Sequence, residues 1–151
     1  MRLSRGEIAL LVVLGLAVVH HIDHVLRADH SGWPFTPDVT AFTASLVVYP
    51  IFVADFLFLR RRTRVRAGLV GVLLVVLLVA HTVIETPAVQ YGTWADGVSS
   101  VPHALGRPNL LGIASPALGI VSAGVSVLLS VSVLVAFLLL LREAQDGGRR
   151  G

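Results

Sequence analysis

The sequence predicts an all-α integral membrane protein, a single-domain bundle of four transmembrane helices with both termini in the cytoplasm and an ordered outer loop segment. Three observations predict it. The 151 residues are 55% hydrophobic and only 14% charged, where a soluble domain carries roughly 25% charge. The apolar residues gather into four runs, each long enough to cross about 30 Å of hydrocarbon, which takes about 20 residues. Positive charge is divided very unevenly between the segments that flank those runs.

The runs fall at about residues 7–26, 39–59, 67–85 and 114–141. None alternates apolar and polar residues as a barrel strand does. In lipid each backbone amide needs an internal partner, so helices are expected. Pro50 should kink the second helix, and Pro87 and Pro116 should mark helix ends. On the fourth helix Ser115, Gly119 and Ala123 form one row at a spacing of four, and Ser122, Ser126 and Ser130 form another. Small residues so placed allow close helix packing, and this face could join two copies in a homo-oligomer.

Orientation follows from arginine, because the chain has no lysine. Arg2 and Arg5 precede the first run, "RRRTRVR" (60–66) joins the second to the third, and Arg142, Arg149 and Arg150 follow the fourth. These are ten of the twelve arginines. The positive-inside rule puts them, and both termini, in the cytoplasm of a multi-pass cell-membrane protein. The net charge of +3 is then a topology signal with a secondary affinity for anionic lipid. The arginine run lacks interleaved aromatics, so no nucleic-acid partner is expected. The "GLA" at 15–17 could end a signal peptide, but cleavage there would strand the polar residues that follow, and an uncleaved first helix is expected. The absence of cysteine excludes disulfides, thiolate metal sites and cysteine nucleophiles.

Two connections lie on the other side. Residues 28–39 are short and rich in Gly, Pro and aromatics. Residues 86–116 are longer than a connection requires, and loops of that length are commonly functional. They carry Tyr91, Trp94, His103 and Arg107. The segment is expected to fold back as a partial lid, with Trp33, Tyr91 and Trp94 as interfacial anchors.

The polar residues within the runs are few and patterned. On a helix advancing ~100° per residue, His20, Asp23, His24 and Arg27 occupy an arc of about 100°, with His21 to one side. His81 and Glu85, spaced i, i+4, share a face of the third helix. Counted from Gly6 and Ala67, His20 and His81 both lie fourteen residues into their helices. Since the two helices run the same way, His20 can face His81 and His24 can face Glu85.

Three imidazoles and a carboxylate are a ligand set for a transition metal ion such as Zn or Fe, and the lack of sulfur disfavours soft metals. His20, His24, His81 and Glu85 are the candidate ligands. Asp23 is a further oxygen ligand or an acceptor that fixes an imidazole tautomer. Arg27 and His103 complete the surroundings, and His30 could lie on the way in. Against this stands structural use: histidines can hydrogen-bond between helices as glue, and His21, Asp29, His30 and Asp38 read most simply as headgroup-level residues. Ionisable groups inside a membrane are costly and gather at function, so the five-residue set of His20, Asp23, His24, His81 and Glu85 carries the functional reading. Asp55 is expected to pair with the arginine run.

The pattern "HHIDHVLR" followed by "GWP" and "TP" resembles small, uncharacterised four-span prokaryotic membrane proteins with a His-rich first helix. The resemblance covers mainly residues 20–50 and implies a four-helix membrane fold. A looser likeness to membrane zinc hydrolases and His-rich di-iron membrane enzymes stops at composition: the former have more spans and the latter more histidines, so no catalytic residue is carried over. Three functions are compatible with the residues. One is a membrane metal-dependent enzyme or redox protein acting on a lipid-soluble small molecule. Another is a haem b protein with two axial histidines. The third is a non-enzymatic metal-binding or structural subunit.

Overall fold

The computed structural model describes residues 3–27, 41–101 and 104–148. Among them the chain is all-helical, without strands. Four helical stretches are long and apolar enough to cross a membrane: Arg5–Arg27, Phe42–Leu59, Thr63–Ile84 and Pro116–Gly147.

Helix α1 (Arg5–Arg27) opens on a reciprocal cap. Glu7 N donates to Ser4 Oγ (3.1 Å) and Ser4 N to Glu7 Oε2 (2.9 Å), the capping box of a Ser-x-x-Glu sequence. The second stretch is broken into α2 (Ala41–Ser45) and α3 (Val48–Ala54), and α3 continues into a π-turn, Asp55–Leu59. Between α2 and α3 the amides of Leu46, Val47 and Tyr49 each bond three residues back. The tightening lies where the Pro50 ring would meet the carbonyl of Leu46, so proline breaks the helix a turn before itself.

Helix α4 (Thr63–Val79) starts four residues before the expected 67. Arg66 is the reason: its side chain turns inward instead of staying in a solvated run. It forks onto Asp55 (Nη2–Oδ2 2.8 Å, Nε–Oδ1 3.0 Å) and reaches Glu7 (3.5 Å), which also takes Arg60 (Nε–Oε1 2.6 Å). Asp55 thus pairs with the arginine run as expected, but buried rather than at an interface. The helix ends in a second π-turn, Ala80–Ile84, closed by Glu85 N donating to Ala80 O (2.8 Å).

Where the sequence predicts a loop, a helix follows: α5 (Pro87–Ala95), with Thr86 accepting from Val89 N at its N-cap and Pro87 in its first turn. Helix α6 (Pro116–Gly148) outruns the expected 114–141, because Glu143 stays helical to receive Ser4 Oγ (3.1 Å) and Gly6 N (3.0 Å).

Helix α6 is the spine and packs against α1, α4 and α5. Glu143 meets the start of α1, and Ser126 and Ser122 meet His20 and Asp23 near its end. Phe137 lies over Gly71 and Ser130 meets His81. So α1 and α4 run parallel, both antiparallel to α6, around a core of Leu10, Val13, Val70, Leu74, Val133 and Leu140. The second stretch stands apart, with 11% of its apolar window buried against 33% for α1.

Both small-residue rows of α6 are used inside the chain. Ser122 and Ser126 are buried, and a Cβ on Gly119 would lie 2.7 Å from the carbonyl oxygen of Tyr91 in α5. Ser115, Ala123 and Ser130 of the same rows remain partly exposed.

Candidate functional site

The site lies where α1, α4 and α6 converge at the Arg27 end. The i, i+4 spacing on α1 puts His20 and His24 on one face, and the equal depth of α1 and α4 brings His81 and Glu85 opposite. His20 Nε2 lies 3.1 Å from His24 Nε2 and 3.2 Å from His81 Nε2. His24 Nε2 lies 3.2 Å from Glu85 Oε2. All four side chains are buried. The π-turn in α4 contains His81, and Glu85 leaves helical geometry directly after it (φ −139°, ψ 87°). Single π-turns in α-helices recur at functional sites.

Arg27 and Asp23 form a second layer. Arg27 is fully buried, donates from Nε to Asp23 Oδ2 (2.7 Å) and pairs through Nη1 with Glu85 Oε1. Asp23 also accepts from Trp94 Nε1 (2.8 Å) and Ser122 Oγ (2.7 Å). Its bonds go to Trp94, Ser122 and Arg27, so its place is to hold the arginine rather than to fix an imidazole. Trp94 is correspondingly not an exposed interfacial anchor: it is 3% exposed and pins α5 to α1.

Residues after α5 fold back over the same end. Leu110 N donates to Leu26 O (2.8 Å), Ser115 N to Trp94 O (2.7 Å), and the Asn109 amide to Gly97 O (3.2 Å) and Ile113 O (2.7 Å). Much of the outer segment is thus ordered against the end of α1. His103, His30 and Trp33 lie outside the described residues, as do Asp29 and Asp38.

The His21 ring lines an apolar cavity, with Nε2 2.8 Å from Ser45 Oγ and Nδ1 2.8 Å from both the Tyr49 hydroxyl and Ala17 O. That cavity, about 450 Å³, lies between α1, α2, α3, α4 and α6. Its wall is apolar except where His20, His21, Ser45, His24, His81 and Glu85 face it. Sequence reasoning had no signal for a cavity, whose walls are the same Val and Leu as a packed core.

Ser130 Oγ lies within hydrogen-bond distance of both Ser126 O (3.0 Å) and His81 Nδ1 (3.1 Å), and Ser126 Oγ lies 3.2 Å from His20 Nδ1. A serine hydroxyl can donate to a ring nitrogen or accept from it, so the two serines leave the tautomers of His20 and His81 free to adjust to what the Nε2 atoms meet. Three imidazole nitrogens and one carboxylate oxygen are thus linked by contacts of 3.1–3.2 Å in one buried place.

Among the described residues no group of three or more His, Asp or Glu side chains has the arrangement of a metal centre; the nitrogens close on one another at hydrogen-bonding distance. No family model, curated protein or solved structure matches the chain.

Proposed function

We propose that the chain is a multi-pass membrane protein in which His20, His24, His81 and Glu85 bind one transition metal ion beside a lipid-facing cavity. It would act there as a metal-dependent enzyme or redox protein on a lipid-soluble molecule. The single observation that carries the metal is that three imidazole nitrogens and a carboxylate oxygen, a donor set that suits a transition metal, lie linked at 3.1–3.2 Å in one buried place. Donors about 2.0–2.1 Å from a tetrahedral zinc lie about 3.3 Å apart. Three of the six edges of such a tetrahedron, in the order His81–His20–His24–Glu85, stand at 3.1–3.2 Å; binding would draw the two ends of that row together. Iron fits the same donors. Arg27, held by Asp23, balances the carboxylate charge.

The membrane setting is supported by where polarity lies. Arg27, Glu85, Asp55 and Arg66 are buried, while Val83, Phe58 and Leu57 are 73%, 75% and 68% exposed. Such a surface suits hydrocarbon and not water. With the arginine bias, the Arg5 end faces the cytoplasm and the metal site lies toward the outer face. A haem requires two imidazoles facing across a macrocycle, whereas His20 and His81 meet edge to face with ring centroids 4.8 Å apart; haem is therefore the weaker assignment.

Elemental analysis and an absorption spectrum of the purified protein test this. About one Zn or Fe per chain is expected, without a Soret band. Substitutions His20→Ala, His24→Ala, His81→Ala and Glu85→Ala should each lower occupancy more than His21→Ala. A chain without metal, or His81→Ala with full metal content, would return the cluster to helix glue. A Soret band would select haem.

A further inference from the structure

The cavity has a shape as well as a volume. On α1 it is lined from Leu10 to His24, and on α4 from Val70 to Glu85. From Leu10 to His24 is fourteen residues of helix, about 21 Å at ~1.5 Å per residue. A round cavity of about 450 Å³ would be less than half as long, so this one is a slot that runs along the helices. Its polarity is confined to one end. The three histidines of α1, Ser45, His81 and Glu85 line the end nearest Arg27, while Leu10, Phe52 and Val70 lie at the other. The slot also opens sideways: Val47 of the second stretch and Val76 of α4 both line it and both are exposed.

Size and charge narrow what fills such a slot. A helix about 10–12 Å across and as long as the slot would need several times the volume. A compact ring system would leave part of the length empty, and the lining of a void loses its dispersion contacts. An unbranched hydrocarbon chain fills the slot from end to end. With bonds of ~1.52 Å meeting at ~111°, an extended chain advances ~1.25 Å per carbon, so about 21 Å takes about 17 carbons. A charged head would meet no countercharge. Among the described residues the lining holds no Arg, and its one carboxylate, Glu85, is paired with Arg27. Of the polar residues there, His20, His24, His81 and Glu85 are buried, whereas Ser45 is exposed and His21 half-buried. A head group therefore meets Ser45 and His21 first. A hydroxyl, which both donates and accepts, suits a serine beside an imidazole.

We propose that the slot binds a neutral single-chain lipid with a hydroxyl head, entering sideways from the bilayer, its hydroxyl at Ser45 and His21 and its methyl end near Leu10, Phe52 and Val70. This names the class of the lipid-soluble molecule proposed above. It rests on the bilayer setting of that reading and not on the ion.

The test uses full-length protein in phospholipid nanodiscs and a 16-carbon 1-alkanol with a photoreactive diazirine at its far end. Mass spectrometry after irradiation locates the label. Label at Leu10, Phe52 or Val70 is expected, and unlabelled 1-hexadecanol should compete it away. At equal amounts in the bilayer, 1-octanol should compete poorly, because half the buried chain is missing. Hexadecyl sulfate, with the same chain and a charged head, should not compete. Val48→Trp and Leu73→Trp, which fill the slot, should each lose the far-end label. Phospholipid is in excess throughout, so label that 1-hexadecanol does not displace would mean that no site for a single-chain alcohol exists and would overturn the proposal. Equal competition by hexadecyl sulfate, or undiminished label in both filled variants, would overturn it too. The two readings fail separately. Protein that stays outside the discs overturns the bilayer setting; embedded protein without a competable label overturns the bound chain alone.

Discussion

Arg27 shows what a single residue carries. Its guanidinium is 0% exposed and joins Asp23 of its own helix to Glu85 of α4, so one side chain couples α5, through Trp94 on Asp23, to the His cluster. Removing one partner of a buried ion pair costs about 3–5 kcal/mol, since the remaining charge is left uncompensated. Arg27→Ala should therefore lower the thermal midpoint sharply. Arg27→Lys should recover only part of it, because an ammonium lacks the fork that spans both carboxylates. Circular dichroism melts of the purified variants read this, and a near-wild-type melt for Arg27→Ala would show the pairs to be dispensable. At this scale the sequence was informative. The pairing of His20 with His81 and of His24 with Glu85 could be read from equal depth on parallel helices. The roles of Asp23, His21 and Trp94 could not, because each depends on a partner far away in the chain. Glu7 had a local signal that went unused, the Ser-x-x-Glu box at the start of α1.

Between residue and fold, the helices were legible in number and approximate span, since apolar length fixes both. Their irregularities were not. The two π-turns, at Asp55–Leu59 and Ala80–Ile84, carry no glycine or proline to mark them, and only the tertiary pairing of Asp55 with Arg66 and of Glu85 with Arg27 gives them a purpose. Helix α5 is short and begins at a Thr-Pro pair that also reads as a helix end; the Thr86 cap was the better clue. Its packing on α6 depends on Gly119, where any Cβ would press on Tyr91 backbone at 2.7 Å. Since backbone cannot rotate aside, Gly119→Ala should push α5 outward and cost about 1–3 kcal/mol. Hydrogen exchange should quicken across residues 87–95 and leave α4 unchanged. Unaltered protection of 87–95 would mean that α5 tolerates the shift.

For the whole molecule, two polar layers stand at opposite ends of one apolar bundle: Glu7, Asp55, Arg60 and Arg66 at one, and His20, Asp23, His24, Arg27, His81 and Glu85 at the other. The arginine bias predicts that the first faces the cytoplasm. Because the chain has no cysteine, single cysteines can be introduced without a background. A membrane-impermeant maleimide applied to intact cells should label a cysteine at position 110 and spare one at position 64. Labelling of 64 from outside would invert the orientation. It would also move the His cluster to the cytoplasmic face, leaving its internal geometry untouched.

The loose attachment of α2 and α3 has a consequence for how such a chain keeps its shape. Helices in lipid gain little from apolar contact with each other, since acyl chains offer the same contact. In a bilayer, a stretch with so little of itself buried would be held in place chiefly by the pressure of surrounding lipid. One wall of the cavity is then set by the solvent rather than by the fold. The room available beside His24 would follow bilayer thickness and lateral tension, while the three packed helices α1, α4 and α6 keep the imidazoles in register.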